Sequence, residues 1–210
     1  MYIKFPSDPQ EQEKILREIS RLLSEDKVGA IPTETIYGLA CNPFSERALE
    51  RLFQLKQREH NKPILLLLGK MEDLSLVVKC IPPKAYKLMK RFWPGPLTIV
   101  LPARRSLPKL LTGGLDTIGV RLTSSDIARS IARTFGKPIT GTSANISGEP
   151  PCRSAQEVLK VFPNIDFVVD GGESKSLTPS TVVEIIDNEV KLIREGVIAF
   201  TEILRVLEEE

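Results

Sequence analysis

The run Pro63-Ile64-Leu65-Leu66-Leu67-Leu68, closed by Gly69, constrains the fold more than any other part of this chain. An unbroken apolar run between a proline and a glycine is the signature of a strand buried on both faces. Such a strand needs structure on each side of its sheet, which implies layered α/β architecture. The flanking patterns agree. Ser7-Asp8-Pro9 offers a capping side chain and a first-turn proline, and Ile15, Leu16, Ile19, Leu22 and Leu23 follow at helical spacing. A buried strand is expected over 28–31. Ser45 then caps a second helix with the stripe Ala48, Leu49, Leu52 and Phe53, ending near Lys56.

Further along, short helices are expected over 73–78 and 83–92, with a turn at Trp93-Pro94-Gly95-Pro96. Strands are expected over 97–101 and 118–122. The helix over 126–135 turns Ile127, Ala128, Ile131 and Phe135 inward and stops at Gly136. A strand over 139–142 runs into Ser143-Ala144-Asn145. Ser154 and Glu157 form a capping box for a helix reaching Phe162. Strands over 167–169, 181–186 and 190–193 follow, the last two joined at Asp187-Asn188, and a final helix over 201–207 places Ile203, Leu204 and Leu207 on one side. No linker or repeat interrupts the sequence. The expectation is one three-layer α/β domain over 1–210, with a mixed sheet because the terminal hairpin is antiparallel.

Composition is that of an ordinary globular chain, with 41% apolar and 27% charged residues and a net charge of +2. Charge distribution says more than the total. No acid lies between Asp73 and Asp116, while Lys79, Lys84, Lys87, Lys90, Arg91, Arg104, Arg105 and Lys109 do. That segment suits either a polyanion or plain solvent. Cys41, Cys80 and Cys152 are odd in number and far apart, so neither a disulfide framework nor a zinc cluster is indicated. With no signal-peptide core and no membrane-length apolar run, a cytoplasmic setting is expected.

The chemistry-bearing groups cluster around Ile31-Pro32-Thr33-Glu34-Thr35-Ile36-Tyr37-Gly38-Leu39-Ala40-Cys41. Two threonines, a carboxylate and a phenol just beyond a strand fit a ligand pocket, or a turn in which the threonines bind their own backbone. Phosphate-loop and dinucleotide fingerprints are absent, and His60 is the sole histidine, which disfavours histidine-based catalysis and metal sites. Lys56 and Arg58 suit a polyphosphate or a solvated loop. Ser143 and Asn145 offer donors beyond a strand, or a turn. Arg121 lies within an apolar strand and needs an anionic partner, either an acidic side chain or a ligand carboxylate. Arg194 follows the last strand in the same way.

Five motifs occur in order: Pro32-Thr33-Glu34-Thr35-Ile36-Tyr37-Gly38-Leu39, Lys56-Gln57-Arg58, Trp93-Pro94-Gly95-Pro96-Leu97-Thr98, Ser143-Ala144-Asn145-Ile146-Ser147-Gly148 and Pro179-Ser180-Thr181-Val182-Val183. The ordered set resembles the YrdC-like family, the threonylcarbamoyl-AMP synthases, over nearly the whole chain. The resemblance implies a twisted mixed sheet flanked by helices around a concave basic cavity. It implies that L-threonine, bicarbonate and ATP give threonylcarbamoyl-adenylate and pyrophosphate, with magnesium carried on the ATP phosphates and no protein-bound metal. Partner proteins would then transfer the group to tRNA. By motif, Lys56, Arg58, Ser143 and Asn145 form the set around carbamate and phosphates. Thr33, Thr35, Tyr37, Arg121 and Ser180 lie on the threonine side, Arg121 gripping the carboxylate. Arg58, Lys62, Thr117, Ser143 and Arg194 lie near the nucleotide, and Glu34 orients its neighbours.

The chain departs from the family at Glu59, where proline is frequent, and at Leu67, where many members carry histidine. Longer members add a C-terminal domain, which is not expected within these 210 residues. Two other functions compete: RNA binding or ribosome assembly through residues 79–109, including tRNA or double-stranded RNA contact, and a hydrolase with Ser143 as nucleophile and Lys56 as base.

Overall fold

The computed structural model describes residues 1–174, 176 and 178–209. In chain order its elements are β1 (Tyr2–Lys4), α1 (Pro9–Ser24), β2 (Gly29–Ile31), β3 (Gly38–Ala40), α2 (Glu46–Lys56), β4 (Leu66–Leu68), a 3-10 turn (Met71–Asp73), α3 (Leu74–Val77) and α4 (Pro83–Phe92). There follow β5 (Leu97–Pro102), α5 (Lys109–Thr112), β6 (Thr117–Leu122), α6 (Asp126–Phe135), β7 (Ile139–Thr140) and β8 (Thr142–Ser143). The last elements are α7 (Ala155–Val161), β9 (Phe167–Asp170), β10 (Thr181–Ile186), β11 (Glu189–Arg194) and α8 (Phe200–Glu208).

Helix starts lie where capping side chains put them. Asp8 accepts from the Glu11 amide at 2.9 Å, Ser45 from Ala48 at 3.2 Å and Ser154 from Glu157 at 3.2 Å. Gly136 closes α6 with φ of 75°, a conformation that costs glycine little. The final helix differs from expectation. Ile203 and Val206 are its buried positions, whereas Leu204 is 40% exposed, because α8 packs on α4 through an i, i+3 edge.

The strands form two mixed sheets rather than one. The first has the order β1-β9-β2-β3-β8 and the second β11-β10-β5-β6-β4-β7. The expected strand over 139–142 is where they part. Thr140 pairs with Leu66 of β4, while Thr142 and Ser143 pair with Leu39 and Gly38 of β3. Gly141 makes the change of sheet possible: a Cβ there would lie 2.4 Å from Leu67 Cγ. Strands β1 and β3 carried no pattern long enough to reveal them, and the Gly and Ala of β3 are poor strand formers.

The run through β4 is buried on both faces, though its paired part is shorter than the apolar run. Leu66 and Leu68 enter one apolar core with Leu49, Phe53 and Leu88, while Leu67 enters a second beneath α1 and α6 with Ile19, Leu23 and Ile131. This is the period-two alternation of a strand with a core on each side.

Beyond β11 the chain folds back on the start of β10. Thr181 Oγ1 donates to the Ile198 carbonyl at 2.6 Å and accepts from the Gly196 and Ile198 amides at 2.9 and 3.0 Å. A Cβ at Gly196 would lie 2.2 Å from the Pro179 carbonyl oxygen and 2.5 Å from Ser180 C. Because those neighbours are backbone, Gly196→Ala is expected to cost about 3 kcal/mol, lowering Tm by about 6–12 °C. A thermal melt shifted by less than a degree would contradict this packing.

Candidate active site

A cavity of about 570 Å³ opens between the two sheets. The β2–β3 loop contributes Thr33, Thr35, Ile36 and Tyr37; the segment after α2 contributes Arg58, Pro63, Ile64 and Leu65. The second sheet supplies Thr98 and Val100 from β5, Thr117, Gly119 and Arg121 from β6, Val182 and Glu184 from β10, and Ile193 and Arg194 from β11. Gly141, Thr142 and Ser143 close it at the change of sheet, with Gly38, Leu115, Pro179 and Ser180 completing the lining. Of the residues singled out from sequence, Thr33, Thr35, Tyr37, Arg58, Thr117, Arg121, Ser143, Ser180 and Arg194 therefore meet in one place. Lys56, Asn145 and Lys62 do not line it.

The turn reading of the threonine stretch holds, and that turn lines the cavity. Thr33 Oγ1 donates to the Ile36 carbonyl at 2.6 Å and accepts from the Thr35 and Ile36 amides, so it shapes a turn whose outer surface is the cavity wall. Tyr37 is fully buried and its hydroxyl donates to the Gly172 carbonyl at 2.7 Å, which directs the phenol toward the 171–172 backbone. Burial pushes its pKa up to about 12, keeping it a neutral donor.

Arg121 is 3% exposed. Its nearest acid, Glu34, stands 3.9 Å away and is itself held by the Thr123 hydroxyl and, at 3.4 Å, the Ser124 amide. Among the described residues Arg121 Nε has no hydrogen-bond partner. Burial lowers its pKa, with Glu34 opposing, but a guanidinium stays charged. Arg194 donates to the Ser180 carbonyl at 2.9 Å, and burial together with the Arg121 charge lowers its pKa too. Two guanidinium groups that repel each other across a cavity make a site for an anion.

Arg58 donates to the carbonyls of Lys62 at 3.2 Å and Pro63 at 2.9 Å, which fixes its loop, while Lys62 turns outward to Glu59 at 3.1 Å. Lys56 is 1% exposed and donates to Ser143 O at 2.5 Å, Asn145 O at 2.9 Å and Asn145 Oδ1 at 2.9 Å. Burial and the neighbouring Arg58 charge pull its pKa down to about 7, a cost that three oxygen acceptors partly offset. Ser143 Oγ donates to Asn145 Oδ1 at 2.6 Å. Since Lys56 meets the Ser143 carbonyl rather than its hydroxyl, the geometry of a Ser-Lys hydrolase is absent from this pair.

Leu67, which stands where many family members have histidine, is buried under Gly141 and does not reach the cavity. Among the described residues no three His, Cys, Asp or Glu side chains gather to hold a metal ion, and no helix is long and apolar enough to cross a membrane. The basic residues over 79–109 lie outside the lining; Arg91 faces Glu202 at 3.8 Å and Lys87 Nζ meets the Leu207 carbonyl at 3.4 Å. Thr98 and Val182 lie within two of the motifs but were given no role there, and Val100 and Glu184 lie outside all five; all four reach the lining through strand register. Cross-strand pairs align Thr98 with Val182 in one row and Gly119 with Val100 and Glu184 in the next cavity-facing row.

The family model Sua5_yciO_yrdC, described as telomere recombination, matches residues 21–196. The chain belongs to this family. A threonylcarbamoyl-AMP synthase of Pyrococcus abyssi is 40% identical over 195 residues, which are 92% of this chain and 57% of that protein, so the chain spans little more than half of that relative. One from Enterobacter sp. is 38% identical over 170 residues, 80% of this chain and 90% of that protein. The structure of P. abyssi Sua5 complexed with L-threonine superposes with a TM-score of 0.91 at 37% identity, covering 100% of this chain and 61% of that one. Escherichia coli YciO superposes with a TM-score of 0.83 at 26% identity, covering 95% and 96%. The mixed α/β fold is that of the family.

Proposed function

We propose that this chain is a threonylcarbamoyl-AMP synthase, a nucleotidyltransferase that converts L-threonine, bicarbonate and ATP to threonylcarbamoyl-adenylate, pyrophosphate and water. The observation that carries the reading is Arg121, buried beside the cavity with Nε unpartnered among the described residues and its nearest described acid held at 3.9 Å by other groups. A substrate carboxylate satisfies it in a way that Glu34 does not. The names of relatives at 38–40% identity support the same chemistry.

The reaction needs no protein nucleophile. The uncharged threonine amine bonds to carbon dioxide derived from bicarbonate, giving a carbamate after proton loss. A carbamate oxygen then attacks the α-phosphorus of ATP, the bond to the bridging oxygen breaks, and pyrophosphate leaves. Arg121 holds the threonine carboxylate, Arg58 and Arg194 draw the phosphates in, and Ser143 donates near the reacting oxygens. Gathering three anions in line is the main barrier, and fixed cations lower it. Magnesium enters as the ATP complex and neutralises phosphate charge. The mixed anhydride product is reactive toward amines, which fits partner proteins that pass the threonylcarbamoyl group to tRNA in the cytoplasm. Residues 1–210 act as one domain in this account.

The test is pyrophosphate release from MgATP with threonine and bicarbonate omitted in turn. Release that requires both is the expected result; release without either, or none from folded protein, would sink the reading. Arg58→Ala is expected to lower turnover at least a hundredfold while moving Tm by less than about 3 °C, because its two carbonyl contacts are peripheral. Unchanged turnover in that variant would remove Arg58 from the phosphate site.

A further inference from the structure

The arginine pair accounts for one end of the cavity; the other is built differently. Two residues before Arg121 on β6, about 7 Å by strand rise, stands Gly119, in one row with Val100 and Glu184. Alternation on β10 sends Val183 and Ile185 into the core and Val182 and Glu184 to the cavity. The β10–β11 register shifts between Val182 and Val183, so that Ile193 and Arg194 are consecutive residues lining the cavity. A bulge re-aims side chains in this manner. Ile193 and Leu115, each 52% exposed, flank the opening, Val100 and Val182 line its floor, and Gly119 leaves that floor without a side chain.

An apolar slot with a single carboxylate, adjoining a cationic site, has the polarity of a pocket for an amino-substituted heteroaromatic ring joined to phosphates. We propose that Glu184 is the base-specificity residue, accepting a hydrogen bond from the exocyclic 6-amino group of adenine. The proposal rests on the synthase reading. Lys191 stands opposite Glu184 across the β10–β11 pair, yet among the described residues Glu184 has no ion pair within 4.0 Å and Lys191 does not line the cavity. The threonine amine is the competing occupant, but a carboxylate that held it as ammonium would oppose its attack on carbon dioxide. Adenine keeps its amino protons throughout. A 6-oxo purine presents an acceptor where adenine presents a donor, and so meets Glu184 with like polarity.

Pyrophosphate release with saturating threonine and bicarbonate is measured with ATP, ITP and purine riboside 5′-triphosphate, for the wild type and Glu184→Gln. The wild type is expected to favour ATP over both analogues by about ten- to hundredfold in kcat/KM, the worth of a hydrogen bond to a charged acceptor. Glu184→Gln, whose amide can donate to O6, is expected to narrow the ATP to ITP ratio at least tenfold, partly by raising ITP use. Equal wild-type use of ATP and purine riboside triphosphate overturns the proposal without reference to the variant. An unchanged ratio in a variant with wild-type Tm also overturns it, as does a raised threonine KM at unaltered base preference. Failure of wild-type release with ATP itself would instead strike the synthase reading.

Discussion

Arg121→Ala is expected to lower kcat/KM for threonine by about a hundred- to thousandfold, the scale on which removing one partner of a buried charge pair is felt. The loss should fall mainly on threonine affinity, with ATP binding less affected. Arg121→Lys should recover little, because an ammonium cannot present the two parallel donors that a carboxylate engages. Stability should change less than activity: Arg121 Nε makes no hydrogen bond to the described residues, and Glu34 keeps its contacts to Thr123 and Ser124. Titration calorimetry with threonine, beside steady-state rates, checks both statements. A threonine affinity within threefold of wild type would return Arg121 to the role of Glu34's partner.

Lys56→Met is expected to damage stability and turnover together. Methionine fills much of the same volume but leaves the Ser143 carbonyl, the Asn145 carbonyl and Asn145 Oδ1 without the ammonium that joins them. Unsatisfied buried acceptors of this kind cost about 2–4 kcal/mol in sum, part of it returned because the buried charge has gone, so Tm should fall by about 5–12 °C. Turnover should fall further than Tm suggests, since the 143–145 loop carries Ser143 into the cavity. Thermal melts and pyrophosphate release on the same samples separate the two effects. A variant with wild-type Tm would show that the loop holds itself.

Much of the fold could be read from the chain because its strongest signals are local. Capping residues set the ends of α1, α2 and α7, and the apolar run at β4 announced a strand with a core on both sides. What escaped depends on long-range pairing. Gly141 looks like any small residue within a strand until Leu67, far away in sequence, is seen filling the space where a Cβ would go. The site shows the same division. Arg121 stood out because a cation in an apolar strand is costly, whereas Glu184, alternating with Val183 and Ile185, looks like an ordinary solvent-facing position until register aligns it with Val100 and Gly119. Lys56 misled in the opposite direction: a lysine at a helix end reads as exposed, and only its contacts reveal it as a buried clamp.

The passage of the chain from one sheet to the other at Gly141 has a consequence for what a ligand does to the molecule. Thr142 and Ser143 belong to the first sheet, and Arg121, Glu184 and Arg194 to the second or its end. A substrate long enough to touch Ser143 and Arg194 at once acts as a cross-brace between two slabs, added to the apolar core that they already share. Occupancy and mechanical integrity are then one free energy read from two ends, and the affinity of the filled cavity reappears as resistance of the whole chain to unfolding.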